Sequence, residues 1–215
     1  MKTVKCIIFD CDGILVDSET IANQVLLSMS ASFGLKMTIE ESIKNFNGSR
    51  LQKIFEKIEE LTDKKLPDSF ETDFRKQTFE AFKTDLKPVK GVKGFIEKLT
   101  VPYCVASSGP VEKITLNLTI TGLLEKFENR IFSSYDINSW KPDPEIFLHA
   151  CKQMGFEKEE CIVIEDSVAG VIAAVTGGFK VFALANENNA QDLLDEGATV
   201  FYNYEELETI LAFKI

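Results

Sequence analysis

The stretch VKCIIFDCDG, residues 4–13, decides the fold of this chain. Its first six residues form a largely apolar run that is too short for a typical helix and does not alternate between polar and apolar residues. Such a run is typical of a strand buried on both faces of a parallel sheet. Asp10 and Asp12 follow where this strand ends, and Gly13 lets the backbone turn tightly beside them.

Four more short apolar runs recur along the chain, each followed by polar or turn residues. They are residues 103–106, 161–164, 180–184 and 199–202. Segments with helical periodicity lie between these runs, such as residues 143–154, which end at Gly155. The alternation after about residue 90 predicts βαβ units in an α/β fold with a doubly wound parallel sheet.

Residues 18–86 break this alternation, because they contain helical stripes of apolar residues and no clear strand. Thr38 and Glu41 have the spacing of a capping box at a helix start. We therefore expect a core domain of residues 1–17 and 87–215, with a helical cap domain of residues 18–86 inserted in it. An insert at the end of the first strand is expected to lie over the ligand site as a lid.

The composition narrows the classes of partner and location. The chain has 215 residues, 45% of them hydrophobic, and a formal net charge of −10. An acidic surface repels nucleic acids and anionic lipids, so neither is expected as a partner, and no apolar run is long enough to cross a bilayer. The five cysteines form no paired spacing, and the first residues do not look like a secretory signal, which predicts a reduced, cytoplasmic setting.

A second acidic pair, Glu165 and Asp166, follows the run 161–164. Doubly wound topology can bring this pair close to Asp10 and Asp12. Carboxylates that converge repel one another unless a cation joins them, and hard oxygen ligands select Mg²⁺. The alternatives are an acidic surface turn for the first pair, and helix capping or first-turn acids for the second.

Two further segments stand at predicted strand-to-helix transitions. Ser107, with Ser108 and Gly109 after it, can offer a hydroxyl and backbone N–H groups to a phosphate oxygen; taken on its own, such a serine is more often an ordinary helix N-cap. Lys141 is held between Trp140 and a Pro-Asp-Pro run, where it could neutralise a phosphate; a solvated loop lysine is the alternative.

Taken in order, these motifs resemble the haloacid dehalogenase superfamily. They are DCDGILVDSE at residues 10–19, Ser107, KPDP at 141–144 and EDSVAG at 165–170. The likeness is to the branch of phosphatases and beta-phosphoglucomutases with a helical cap between the first two motifs. Residues 104–110 and 135–144 resemble bacterial phosphogluconate phosphatases in particular.

The resemblance implies a Mg²⁺-dependent phosphatase that hydrolyses a small phosphorylated metabolite, such as a sugar or sugar-acid phosphate, and that is a monomer. It implies Asp10 as the nucleophile that forms an aspartyl-phosphate, and Asp12 as the general acid and base. Mg²⁺ would be held by Asp10, the Asp12 backbone carbonyl and Asp166, with Glu165 nearby or acting through a water. The transferring phosphoryl group would be bound by Ser107, Ser108, Gly109 and Lys141.

Two alternatives stay open at this point. A mutase of the beta-phosphoglucomutase type would use a histidine in the first cap helix, where residues 20–23 contain none. A non-catalytic binding module on the same fold is the other alternative.

The predicted cap also offers a substrate contact. Ser49 and Arg50 lie in a glycine-containing loop at a predicted helix start, and Arg50 could bind a carboxylate or second anion of the substrate through two hydrogen bonds. The alternative is a surface arginine beside an ordinary helix cap.

We predict that Arg50→Ala raises KM for an acidic sugar phosphate more than it lowers kcat, because the lost contact would bind the ground state and the transition state alike. Steady-state kinetics over a panel of neutral and acidic sugar phosphates measures this. An unchanged KM across the panel would discard the proposed contact.

Overall fold

The structure is a computed structural model that describes residues 4–46 and 51–211. The chain divides into two compact units. One unit contains Val16 and the residues before it, together with Pro88 and the residues after it. The other unit is Asp17–Lys87.

A six-stranded parallel sheet forms the centre of the first unit. Its strands are β1 (Cys6–Phe9), β2 (Tyr103–Ser107), β3 (Ile131–Ser133), β4 (Cys161–Glu165), β5 (Lys180–Leu184) and β6 (Thr199–Phe201). They lie in the order β3-β2-β1-β4-β5-β6, and every neighbouring pair is parallel. The predicted doubly wound α/β sheet is confirmed.

The unit Asp17–Lys87 contains four helices and no strand in its described residues, 17–46 and 51–87. The helices are α1 (Glu19–Ala31), α2 (Ile39–Phe46), α3 (Leu51–Thr62) and α4 (Phe70–Asp85). The predicted capping box is present before α2, because the Thr38 N–H donates to the Glu41 carboxylate at 2.8 Å and the Glu41 N–H donates to the Thr38 hydroxyl at 3.2 Å. The apolar faces of these helices form a small core of their own, which includes Leu26, Phe46 and Ile58.

Eight more α-helices, and a short 3-10 helix at Lys158–Glu160, accompany the sheet in the described part of the first unit. The α-helices are α5 (Val92–Lys98), α6 (Val111–Ile120), α7 (Leu124–Phe127), α8 (Ser134–Ile137), α9 (Glu145–Gln153), α10 (Val168–Thr176), α11 (Ala190–Asp195) and α12 (Tyr204–Leu211). All four residues of β1 are fully buried, as expected for a central strand covered on both faces. Gly155, with φ of 78°, follows α9 as the predicted helix stop.

The strand order reverses at the centre of the sheet. The chain places β2 and β3 on one side of β1, and β4, β5 and β6 on the other. Phe9 of β1 pairs with Ile164 of β4, and the Asp10 N–H donates to the Ile164 carbonyl at 2.9 Å. The carboxyl ends of these two strands therefore meet at the switch point, where open α/β sheets bind their ligands.

Short elements account for the differences from prediction. Strand β3 was not predicted, because its three residues lie at the sheet edge and two of them are only partly buried. β1 begins at Cys6 rather than at residue 4.

No helix in the described ranges 4–46 and 51–211 is long and apolar enough to span a membrane.

Gly94 offers a test of the backbone of α5. It lies inside the helix and is exposed, and a Cβ added there would meet nothing within 4 Å. We predict that Gly94→Ala raises the free energy of unfolding by about 0.5–1 kcal/mol, because alanine loses less conformational entropy in a helix. Urea unfolding measures the change, and an unchanged or lower midpoint would contradict it.

Candidate active site

A tight turn follows β1 and carries Asp10 and Asp12. Gly13, at φ of 76°, adopts the left-handed conformation that favours glycine, and its N–H donates to the Val16 carbonyl at 2.8 Å. A Cβ added at Gly13 would overlap the carboxylate of Asp166. The turn therefore requires glycine both for its backbone conformation and for the space that Asp166 occupies.

Three buried carboxylates converge at the switch point. Asp10 follows β1, Glu165 is the last residue of β4, and Asp166 comes next. Each offers one oxygen, and these oxygens all lie within 4.8 Å of one another. Like charges this close and this poorly solvated repel strongly, so the group needs positive charge beside it.

Lys141 supplies positive charge from within the chain. Its Nζ donates to Asp10 Oδ1 and to Glu165 Oε1, both at 2.6 Å. The lysine side chain is only 5% exposed, and its Nζ lies 4.8 Å from the centre of the Phe147 ring. The alternative of a solvated loop lysine is therefore wrong.

The pKa values of this group follow from burial and charge. Burial raises the pKa of the Asp10 carboxyl to about 7, even though Lys141 opposes the rise. Burial alone would lower the pKa of Lys141, but Asp10 and Glu165 together raise it above its ordinary value. Lys141 therefore keeps its positive charge beside the two acids, and burial disfavours the ionised form of Asp10.

Glu165 connects Lys141 to the start of α10. Its Oε1 accepts from Lys141, while its Oε2 accepts from the backbone N–H groups of Asp166 and Ser167 at 2.7 Å, and from the Ser167 hydroxyl at 3.0 Å. Ser167 is the N-cap residue of α10, and its Oγ accepts from the Gly170 N–H at 3.1 Å. Both carboxylate oxygens of Glu165 thus accept hydrogen bonds from groups within the chain. Direct metal binding by Glu165 stays a prediction.

The predicted phosphate-binding segment forms a turn after β2. Ser107 is 2% exposed, and its Oγ accepts from the Gly109 N–H at 3.1 Å. Ser133 Oγ donates to the Gly109 carbonyl at 2.7 Å, which fixes the turn against β3. Ser108 and Gly109 are half-buried. The alternative of Ser107 as a helix N-cap is wrong, because Pro110 holds that position before α6.

Two residues beside Asp12 were not predicted. Lys113 Nζ donates to Asp12 Oδ2 at 2.6 Å, and Asn117 Nδ2 donates to Asp12 Oδ1 at 3.4 Å. Burial lowers the pKa of Lys113, but Asp12 outweighs it and holds that pKa above the ordinary value. The available signal was the spacing of four residues on the helix after β2, which puts both side chains on one face.

The structure thus brings Asp10, Lys141, Glu165 and Asp166 into direct proximity, and pairs Asp12 with α6. Ser49 and Arg50 lie outside the described residues. The catalytic, metal-binding and substrate-binding roles assigned to all these residues stay predictions.

Comparison with known proteins identifies the family to which this chain belongs. A model of the haloacid dehalogenase-like hydrolase family matches residues 7–184. The 6-phosphogluconate phosphatase of Escherichia coli is 32% identical over 208 residues, covering 96% of this chain and 94% of its own length.

Solved structures of haloacid dehalogenase-like proteins have a fold similar to that of this chain. A conserved haloacid dehalogenase-like protein of unknown function from Agrobacterium tumefaciens has a TM-score of 0.88 and 33% identity, with 97% of this chain and 98% of that chain covered. A HAD family hydrolase from Deinococcus radiodurans, with bound phosphate and sodium, has a TM-score of 0.83 and 27% identity over 99% of this chain and 96% of its own.

This chain belongs to the haloacid dehalogenase-like hydrolase family. Within that family it is a phosphatase, that is, a hydrolase of phosphoric monoesters.

A substitution at Gly170 tests whether activity depends on the position of the Glu165 carboxylate. A Cβ added at Gly170 would overlap the Glu165 carboxylate, which is fully buried. We predict that Gly170→Ala lowers kcat/KM for phosphate release about 100-fold, because displacing Glu165 also displaces Lys141. The matched control is Gly94→Ala, the same change on an exposed helix face. Equal activity of the two variants would contradict the account.

Proposed function

We propose that this phosphatase hydrolyses the phosphate monoester of a small sugar or sugar acid, such as 6-phosphogluconate, in a Mg²⁺-dependent reaction through an aspartyl-phosphate at Asp10. The observation that carries the proposal is the buried bridge of Lys141 between Asp10 and Glu165, beside Asp166, at the sheet's switch point. A cation held rigidly against a buried carboxylate is the arrangement needed for one anion to attack another.

The reaction has two halves. In the first, an Asp10 carboxylate oxygen forms a bond to phosphorus while the bond from phosphorus to the ester oxygen breaks, and Asp12 protonates the leaving alcohol. In the second, Asp12 accepts a proton from water, and the water oxygen attacks phosphorus. Inorganic phosphate leaves and the Asp10 carboxylate is regenerated. Throughout, Ser107 and Lys141 hold the phosphoryl oxygens.

The donor set fits Mg²⁺. Asp10, Glu165 and Asp166 offer only carboxylate oxygens, the ligands that this ion prefers. Three acids beside the single Lys141 ammonium also leave an excess of buried negative charge. Asp10, Asp166 and the Asp12 backbone carbonyl would hold the ion, which, when bound, supplies positive charge to the phosphoryl group.

The choice of substrate rests on two supports. The Escherichia coli relative, similar over nearly its whole length, is named for 6-phosphogluconate. Residues 104–110 and 135–144, which resemble bacterial phosphogluconate phosphatases in particular, are the second support.

We predict that Asp10→Asn lowers phosphate release from 6-phosphogluconate and from 4-nitrophenyl phosphate by at least about 1,000-fold, because the amide cannot act as the nucleophile. Removal of divalent ions with EDTA should abolish release, and added Mg²⁺ should restore it. The control is Asp192→Asn, an exposed carboxylate on α11.

The outcomes separate the parts of the proposal. Retention of more than about a tenth of the activity in Asp10→Asn would exclude the nucleophile, and activity that survives EDTA would exclude the metal. Release from 4-nitrophenyl phosphate but not from 6-phosphogluconate would exclude that substrate alone.

A further inference from the structure

We propose that Lys113 and Asn117 of α6 are positioning residues that hold the carboxylate of Asp12 for proton transfer. Together they are named the carboxylate clamp. This inference rests on the proposed function, because it takes Asp12 as the general acid and base. It adds to the site two residues that lie outside the four motifs of the sequence.

The clamp holds the two oxygens of Asp12 separately. Lys113 donates to Oδ2 at 2.6 Å, and Asn117 donates to Oδ1 at 3.4 Å. Lys113 and Asn117 stand four residues apart, so they project from the same face of α6 one turn from each other. Two contacts on two different oxygens restrict rotation of the carboxylate, whereas a single contact would leave it free to turn.

Burial makes the Lys113 contact more than a surface ion pair. The side chains of Lys113 and Asp12 are 23% and 28% exposed, so solvent screens their charges only in part. The remaining exposure leaves Asp12 open enough to exchange protons with a leaving group or a water.

Asn117 stabilises the fold less than an apolar residue would at the same buried position. It is fully buried on α6, and its Oδ1 has no hydrogen-bond partner among the residues that the structure describes. A buried amide oxygen without a partner destabilises the fold relative to an apolar side chain. The hydrogen bond to Asp12 accounts for an amide at this position, whereas packing alone does not.

Position matters because proton transfer to a leaving group is sensitive to geometry. A misplacement of about 1 Å can lower a rate by about 100-fold. The effect depends on the leaving group. An alcohol that leaves as a basic anion needs the proton, whereas 4-nitrophenolate is a stable anion and leaves without it. Loss of the clamp should therefore slow esters with poor leaving groups selectively.

The test compares kcat/KM for phenyl phosphate and 4-nitrophenyl phosphate, two probes of similar size with different leaving groups. We expect Lys113→Met and Asn117→Ala to lower kcat/KM at least about 10-fold more for phenyl phosphate than for 4-nitrophenyl phosphate. Lys152→Met, an exposed lysine on helix α9, is the control and should change neither value. In an Asp12→Asn background, Lys113→Met should have less than about a 3-fold further effect.

The outcomes distinguish a failure of the carboxylate clamp from a failure of the proposed general acid. Equal losses on both probes, or no loss, would overturn the clamp and leave its residues a structural role. A selective loss in Asp12→Asn without one in the clamp variants would overturn the clamp alone. If Asp12→Asn itself shows no selective loss, the general acid of the proposed function is wrong, and the clamp falls with it.

Discussion

The site depends on three like charges that are buried together at the carboxyl ends of two central strands, β1 and β4. Asp10, Glu165 and Asp166 are all buried within reach of one another, an arrangement that is strongly unfavourable unless cations join it. Lys141 meets part of this requirement and is itself buried, so neither the acids nor the lysine would be stable there without the other. Removing either partner leaves a buried charge unpaired.

The surrounding fold is arranged to maintain this cluster. Parallel pairing of β1 with β4 brings the acids to adjacent strand ends, and Gly13 and Gly170 leave the space that the carboxylates of Asp166 and Glu165 fill. Tyr204, at the start of the last helix, donates its buried hydroxyl to the Ile14 carbonyl at 2.8 Å and so ties α12 to the turn after β1. A site whose chemistry needs fixed charges is thereby supported by distant parts of the chain.

The sequence predicted most of the sheet, because central strands buried on both faces are continuous apolar runs with acids or serines at their ends. The meeting of Asp10 with Glu165 also followed, since doubly wound topology places those strand ends together. The pairing of Asp12 with Lys113 and Asn117 did not follow, because it depends on how α6 is rotated about its axis relative to the turn after β1. Strand β3 was missed because it has only three residues, two of them partly buried, and so few residues show no periodicity. That Glu165 would accept three donors from the start of α10 likewise depends on backbone geometry that composition does not encode.

The most direct measurement is to trap and locate the covalent intermediate. The enzyme would be mixed with 4-nitrophenyl phosphate and Mg²⁺, quenched within a turnover, and reduced with borohydride, which converts an acyl phosphate on aspartate to homoserine. Peptide mass spectrometry would then identify the modified residue. We expect reduction at Asp10 alone, with none when the ester is omitted. Reduction at another carboxylate, or none at all during rapid turnover, would contradict it.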